Sequence, residues 1–427
     1  MVLPFRKTLF WIHLAVGILS GIVVAIMSVT GVALAFQPQV IAWAESEACT
    51  VSAPGAGARK RTVEELLAKV REARPDAQVS GITVYPSETA SAQVALGRTG
   101  VLYVNPYTGE VLESGSKGWR SFFHLMEEWH RWLATGGDNR AVGKAITGAS
   151  NAGFLFLALS GLYLWWPRNW SRKALRSVTW FRSGLKGKAR DFNWHNVMGF
   201  WMLPVLVVLT ASGMVISYKW ASDLVYTVTG NPVPAQGGGG VKVPVPETGA
   251  ERKTVSAMVS TVQEQVPTWA SITYRIPSPP KGAQGKSSEP SGGPKGDGKP
   301  RESSEPKGAE ANAGPPQADA VSFSVKEKDA WPLFSSTQVS VDPFTGQVAK
   351  REAYADLNSG RQLRSWLRFL HTGEALGWPG QLIAAIASLA GAFLVWTGFA
   401  LSWRRFFPRR QQHAEVPASA GESETPA

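Results

Sequence analysis

Apolar residues in this chain gather into four runs, near 10–36, 145–166, 196–218 and 380–403, separated by long polar stretches. Each run meets the ~20 residues an α-helix needs to cross the hydrocarbon of a bilayer, so the pattern predicts four transmembrane helices. Between the runs the periodicity changes. Thr62 to Val70 carries apolar residues at helical spacing, with Thr62 and Glu65 placed as a capping box. Residues 79–85, 91–96 and 101–104 read as strands, and the turn Asn105-Pro106-Tyr107-Thr108-Gly109 closes them. The same order returns later, with a helix at 253–266 and strands at 271–276, 320–326 and 337–341. There Asp342-Pro343-Phe344-Thr345-Gly346-Gln347-Val348 repeats Asn105-Pro106-Tyr107-Thr108-Gly109-Glu110-Val111 almost residue for residue. The chain reads as a duplication, each half being helix, outer domain, helix.

The predicted fold class is therefore integral membrane α-helical: a four-helix transmembrane bundle with two outer α+β domains, arranged as two internal repeats. An N-terminus at 1–10 leads into helices at 11–36, 143–167, 194–219 and 379–403, with a tail at 404–427. Outer segments at 37–142 and 220–378 carry the α+β units at 61–113 and 252–350, and 168–193 forms a basic loop. Residues 279–317 are rich in Pro, Gly, Ser, Lys and Glu and hold too little apolar surface to offset the entropy of ordering, so a disordered insertion is expected there.

The formal charge of +12 changes this picture little once its placement is seen. Arg6 and Lys7, then Arg168, Arg172, Lys173, Arg176, Arg182, Lys186, Lys188 and Arg190, then Arg404, Arg405, Arg409 and Arg410 flank the apolar runs on one side only. That is the positive-inside distribution of a bacterial inner-membrane protein with both termini cytoplasmic and two large periplasmic segments. Topology and membrane lipid account for the charge, and no nucleic-acid partner is needed. Cys49 is the single cysteine, which excludes an intrachain disulfide and a Cys-x-x-Cys metal site. Ala33-Leu34-Ala35 resembles a signal-cleavage site, but the apolar run before it exceeds a usual signal core of about 7–15 residues, so a retained anchor is expected.

Candidate chemistry lies in the histidines. His13 and His195 begin the first and third helices on the cytoplasmic side, while His130 and His371 precede the second and fourth on the outer side. Thr30-Gly31 and Ser212-Gly213 follow the first pair at matching intervals, and Ser160-Gly161 lines up with Thr397-Gly398 in the other two helices. Ionisable groups inside a membrane are costly and mark function by default. With no cysteine beside them, and no Glu-x-x-His or His-Glu-x-x-His motif, zinc and di-iron chemistry are disfavoured. Two imidazoles on opposite helices suit the two axial positions of a haem, which leaves electron transfer as the chemistry. His124, six residues before His130, stands as a competing outer ligand on a different helix face. His413 lies in the polar tail.

Trp129-His130-Arg131-Trp132-Leu133, Leu159-Ser160-Gly161-Leu162-Tyr163-Leu164-Trp165-Trp166-Pro167, Leu370-His371-Thr372-Gly373-Glu374 and the two Pro-Tyr/Phe-Thr-Gly turns together resemble the PepSY-associated transmembrane family. This family includes iron-regulated inner-membrane proteins and ferric-siderophore reductases. The resemblance implies two haem b groups, with the metal and cofactor ligands His13, His195, His130 and His371, and reduction of a ferric siderophore or other periplasmic iron complex. The α+β units at 61–113 and 252–350 would be PepSY-like. The 279–317 insertion departs from the family pattern. No nucleotide-binding Gly-x-Gly-x-x-Gly follows a strand, so the donor would be quinol or a separate cytoplasmic reductase. Two rival readings are a PepSY-type regulator of a periplasmic protease, which leaves the histidines unexplained, and an iron-complex transporter. The spans carry no acidic residue and lack the paired broken helices of a midplane site, which speaks against the transporter.

Overall fold

The computed structural model describes residues 2–407, apart from 56, 98–99, 113–115, 168–169, 236–239, 247–249 and 277–316. All but the last residue of the expected 279–317 insertion, and the tail from 408, lie outside the described residues; Gln317 itself begins a strand. The chain divides into two compact units, one of Met1–Ala35, Leu125–Tyr218 and Gln381–Ala427, the other of Phe36–His124 and Lys219–Gly380.

The first unit holds the membrane helices. Four spans are long and apolar enough to cross a bilayer: Phe5–Ala35, Gly137–Trp165, Gly187–Ser217 and Glu374–Phe406. Hydroxyls along them are satisfied within their own helices, as where Thr210 Oγ1 donates to Leu206 O at 2.7 Å and Ser212 Oγ to Val208 O at 2.6 Å. This is how polar groups are tolerated at membrane depth. Buried Asn151 donates from Nδ2 to Thr210 O at 2.9 Å and ties the second span to the third. A Cβ on Gly391 would stand 2.8 Å from Ser28 Oγ, so only a glycine lets the first and fourth spans approach so closely.

All four helices begin earlier than the hydrophobic pattern predicts, the first and third by the most. The first helix starts at Val2 and the third at Gly187, so His13 and His195 lie eleven and eight residues inside their helices, not at their mouths. The added turns carry basic residues whose groups find partners in the bundle, as where Arg6 Nη2 donates to Leu164 O at 2.6 Å. The third span also takes in Asp191, which is fully buried and held by Arg190 Nη2 at 2.9 Å and Arg404 Nε at 2.9 Å. The expectation of spans without acidic residues is thereby corrected.

The second unit is built on one eight-stranded antiparallel sheet. Its strands are β1 (Gly81–Val84), β2 (Ala92–Ala95), β3 (Val101–Val104), β4 (Val111–Leu112), β6 (Trp269–Arg275), β8 (Val321–Glu327), β9 (Thr337–Val341) and β10 (Val348–Glu352), while β5 (Lys242–Pro244) and β7 (Gln317–Asp319) pair separately. The order β10-β9-β8-β6-β1-β2-β3-β4 places the two sequence repeats side by side. Each contributes four strands and one helix, Val63–Ala73 or Val255–Gln265.

The repeat persists in the hydrogen bonds. Asn105 Oδ1 accepts from Tyr107 N at 2.9 Å, and Asp342 Oδ1 from Phe344 N at 2.8 Å. Gly109 and Gly346 follow at φ 78° and 75°, the left-handed region that favours glycine. Arg61 N and Lys253 N each reach the following turn's proline carbonyl, Pro106 O and Pro343 O, at 2.7 Å. The two helices also cap one another: Glu64 accepts from Ser256 N at 2.9 Å and from its hydroxyl, while Val63 N donates to Ser256 Oγ at 3.0 Å.

The sequence pattern suggests two outer domains, but the halves share one sheet and one core. Leu66, Val70 and Ile82 from the first half pack in the same cluster as Val262, Ile272, Phe323 and Val339 from the second. At the seam β1 pairs with β6 antiparallel, and the Thr83 and Thr273 hydroxyls meet at 2.8 Å. Each half alone would present an open strand edge there, and fusion removes both edges at once. Because strands from both outer segments pair, the two segments lie on the same side of any membrane crossed by the spans between them.

Candidate functional site

Within the bundle the four spans enclose a cavity of about 850 Å³, lined by His13 from the first and His195 from the third. This lies within the 300–1,000 Å³ typical of ligand sites. Its walls are apolar and aromatic, including Phe10, Trp11, Phe154, Trp165, Phe200 and Phe399. Each span also contributes a glycine to the lining: Gly17, Gly161, Gly199 and Gly398. A Cβ at any of these four would stand at ordinary van der Waals distance, 3.5 to 3.9 Å, from its nearest neighbour, whereas one on Gly21, which also lines the cavity, would stand 2.8 Å from the Phe399 ring. Arg6, Lys7, Lys188 and Arg405 complete the lining and place several cations on it.

Both imidazoles are oriented from behind. His13 Nδ1 is 2.8 Å from Ser160 Oγ, and His195 Nδ1 is 2.9 Å from Thr397 Oγ1. Nε2 of each ring is the nitrogen these bonds leave for a ligand. The start of the third span, which carries His195, is fixed by a small helix, Arg172–Thr179. Its last carbonyls are taken up by Asn193 Nδ2 (Ser177 O at 3.0 Å and Trp180 O at 3.1 Å), Trp165 Nε1 (Val178 O at 3.2 Å) and Trp201 Nε1 (Thr179 O at 2.8 Å). These are the groups a helix C-terminus leaves without intrahelical partners.

An apolar cavity lined by one imidazole from each of two helices, by glycines from all four spans and by several cations suits a macrocycle with acidic substituents and a metal at its centre. The residues present therefore fit a haem. A protein centre of three or more His, Cys, Asp or Glu ligands is not found among the described residues.

His130 occupies a comparable setting on the helix Lys117–Trp132. Its Nδ1 lies 3.0 Å from Thr30 Oγ1 and 2.9 Å from Met27 O. The corner after it is tightly built. Leu133 and Ala134 adopt left-handed φ of 52° and 54°, a conformation costing roughly 1–3 kcal/mol at each non-glycine residue. The neighbours enforce it: Ala134 N donates to Glu128 O at 3.0 Å, Arg140 Nη2 donates to Glu128 Oε1 at 2.9 Å, and the Arg140 guanidinium lies 3.6 Å over the Trp132 ring. His124, on the same helix, is exposed, whereas His130 is half-buried. His371 sits on the helix Ser359–Thr372, which ends at Gly373 in a left-handed cap with φ 79°. His130 belongs to the bundle unit and His371 to the sheet unit.

Ser160 and Thr397 were visible in the sequence only as members of small-residue motifs. Their repeated hydroxyl–glycine pairing carried the signal. The lining cations had been accounted for as topology markers alone.

Four apolar spans around such a cavity, together with an α+β sheet unit, define a multi-helix membrane protein. The chain belongs to the PepSY-associated TM region family, whose model matches residues 10–405. No curated protein matches the chain.

Proposed function

We propose that this protein carries electrons across a bacterial inner membrane and delivers them to ferric iron in a periplasmic complex, most simply a ferric siderophore. The observation that carries the proposal is the cavity between His13 and His195, with its glycine walls and cationic lining. His13 and His195 would hold a haem b, which would supply one-electron transfer there. The protein's own part is to hold and orient the imidazoles through Ser160 and Thr397, to exclude water with the aromatic walls, and to balance acidic substituents with Arg6, Lys7, Lys188 and Arg405.

The sequence duplication extends the proposal to a second haem, with His130 and His371 each a candidate ligand, since two carriers would divide an approximately 30 Å hydrocarbon layer. The two α+β halves would be the PepSY-like units at 61–113 and 252–350, placed in the periplasm with both termini cytoplasmic. Ferric iron binds hard oxygen ligands far more firmly than ferrous iron does, so one electron loosens the metal from its chelator. Quinol or a separate cytoplasmic reductase would give up that electron.

The test is a pyridine haemochrome assay and a dithionite-reduced visible spectrum of the purified protein, with two b-type haems per chain expected. A colourless, folded preparation from haem-replete cells refutes the proposal and favours a PepSY-type regulator of a periplasmic protease. The acceptor is tested by mixing reduced protein anaerobically with ferric siderophores and trapping ferrous iron with a chelator. Haems that stay reduced with every ferric complex reject the iron-releasing role.

A further inference from the structure

Three histidine rings in the bundle meet the same device, a hydroxyl followed by a glycine on a neighbouring helix. Nδ1 lies 2.8 Å from Ser160 Oγ at His13, 2.9 Å from Thr397 Oγ1 at His195 and 3.0 Å from Thr30 Oγ1 at His130. The Cβ positions of Gly161, Gly398 and Gly31 fall 3.5, 3.7 and 3.5 Å from Cε1 of the same three rings.

A hydroxyl owns one proton. That of Thr30 is directed at Ile26 O, 2.7 Å away, and that of Thr397 at Phe393 O and Leu394 O, 3.0 and 3.1 Å away. A hydroxyl that gives its proton to its own helix accepts from the imidazole, and that arrangement places the ring proton on Nδ1. At His130 the polarity is fixed twice, because Met27 O also lies 2.9 Å from Nδ1 and a carbonyl only accepts. Ser160 is the least constrained, since its back-bond to Leu157 O is 3.4 Å long.

We propose that Ser160 and Thr397 are positioning residues that lock His13 and His195 in the Nδ1-protonated tautomer and so keep the Nε2 lone pair of each available as a metal ligand; Thr30 sets the same tautomer at His130. The tautomer is inferred from the backbone acceptors that each hydroxyl has on its own helix; its effect on an iron centre rests on the haem reading above. Metal-bound histidines commonly donate this second N–H to a carboxylate or a backbone carbonyl. A carboxylate inside the bilayer would be expensive, whereas a hydroxyl already satisfied by its own helix adds no charge. It is also the weaker acceptor, so it pushes less electron density towards Nε2 and leaves the ferric state less stabilised. The second shell of this site is thus set for a higher potential than a carboxylate partner would give.

The experiment uses the full-length protein with 15N-labelled histidine, as wild type and as Thr397→Val, Thr397→Ser, Ser160→Ala and Ser160→Thr. Haem content, midpoint potential and ring 15N shifts are measured on each. Thr397→Val keeps the side-chain shape, and it should weaken haem retention about tenfold or more and raise the inner midpoint potential. Thr397→Ser should restore both values, and Ser160→Ala should have the smaller effect of the two deletions. Thr397→Val with wild-type retention and potential overturns the inference, as does a wild-type protein whose rings carry their proton on Nε2. A protein without haem defeats the haem reading, and its 15N shifts then still decide the tautomer.

Discussion

Replacing Arg120 with alanine should remove about 3 kcal/mol from the stability of the sheet unit at neutral pH, with a pH dependence opposite to that of the wild type. Glu45 is 1% exposed and accepts hydrogen bonds from Tyr103 Oη at 2.7 Å, from Arg120 Nε and Nη2 at 2.5 Å each, and from the Ser116 hydroxyl. The knot joins the segment after the first span to β3 and to the start of the helix Lys117–Trp132. Breaking a buried ion pair typically costs about 3–5 kcal/mol. The Arg120 side chain is 30% exposed, so water replaces part of what is lost and the low end applies. Burial pushes the Glu45 carboxyl upward, but the hydrogen bonds from Arg120, Ser116 and Tyr103 outweigh it and hold the group below its ordinary value. In the wild type this contribution is therefore full above the ordinary carboxylate pKa and fades as pH falls through the lower folded value. Without Arg120, burial dominates and the carboxyl rises above its ordinary value. The variant's penalty is then present at pH 7 and shrinks on acidification towards pH 4. Denaturant unfolding of the full chain in detergent, with hydrogen exchange of the β3 amides to localise the change, measures both effects. A variant within about 0.5 kcal/mol of wild type at pH 7 refutes the reasoning, and so does a deficit that stays constant down to pH 4.

Gly143→Ala should open the corner after His130, because its Cβ would stand 2.1 Å from Trp132 O; faster hydrogen exchange at residues 129–135 reports it. Gly81→Ala should weaken the seam of the sheet by about 1–3 kcal/mol, since a Cβ there would lie 2.6 Å from Tyr274 O, and a shift in the unfolding midpoint measures it. His13→Ala and His195→Ala should each cost the same single haem of the two proposed, read by haemochrome per chain, because both side chains line one cavity.

The spans were legible in the sequence because bilayer thickness imposes a length that composition alone can meet. The repeat was legible because Asn105 and Asp342 head turns so constrained that the residues around them recur. The helix starts were not, since Arg6, Lys7 and Lys188 read as flanking charges although they sit within the helices. The union of the two sheet halves was hidden for a different reason. Nothing local in 81–84 states that its partner is 269–275, because strand pairing is chosen by edge and core complementarity over long separations. The histidines announced themselves by type and symmetry. Their hydroxyl partners did not, since Ser160 and Thr397 are also what close helix packing would select.

The β1–β6 seam also sets a timetable for biogenesis. Thr83 and Thr273, which meet across it, are 190 residues apart, and the second and third spans are encoded between them. At roughly 5–20 residues per second, ribosomal synthesis leaves β1 without its neighbour for about 10–40 s. During that interval the chain must thread two hydrophobic helices into the bilayer while a half-finished sheet waits with an open edge, the element most prone to pairing with the wrong strand. Closure of the sheet thus reports that the intervening hairpin of spans has returned the chain to the side it left. A nascent protein arrested before residue 269 should be a target for holding chaperones and proteases on that side, and one released after residue 275 should not.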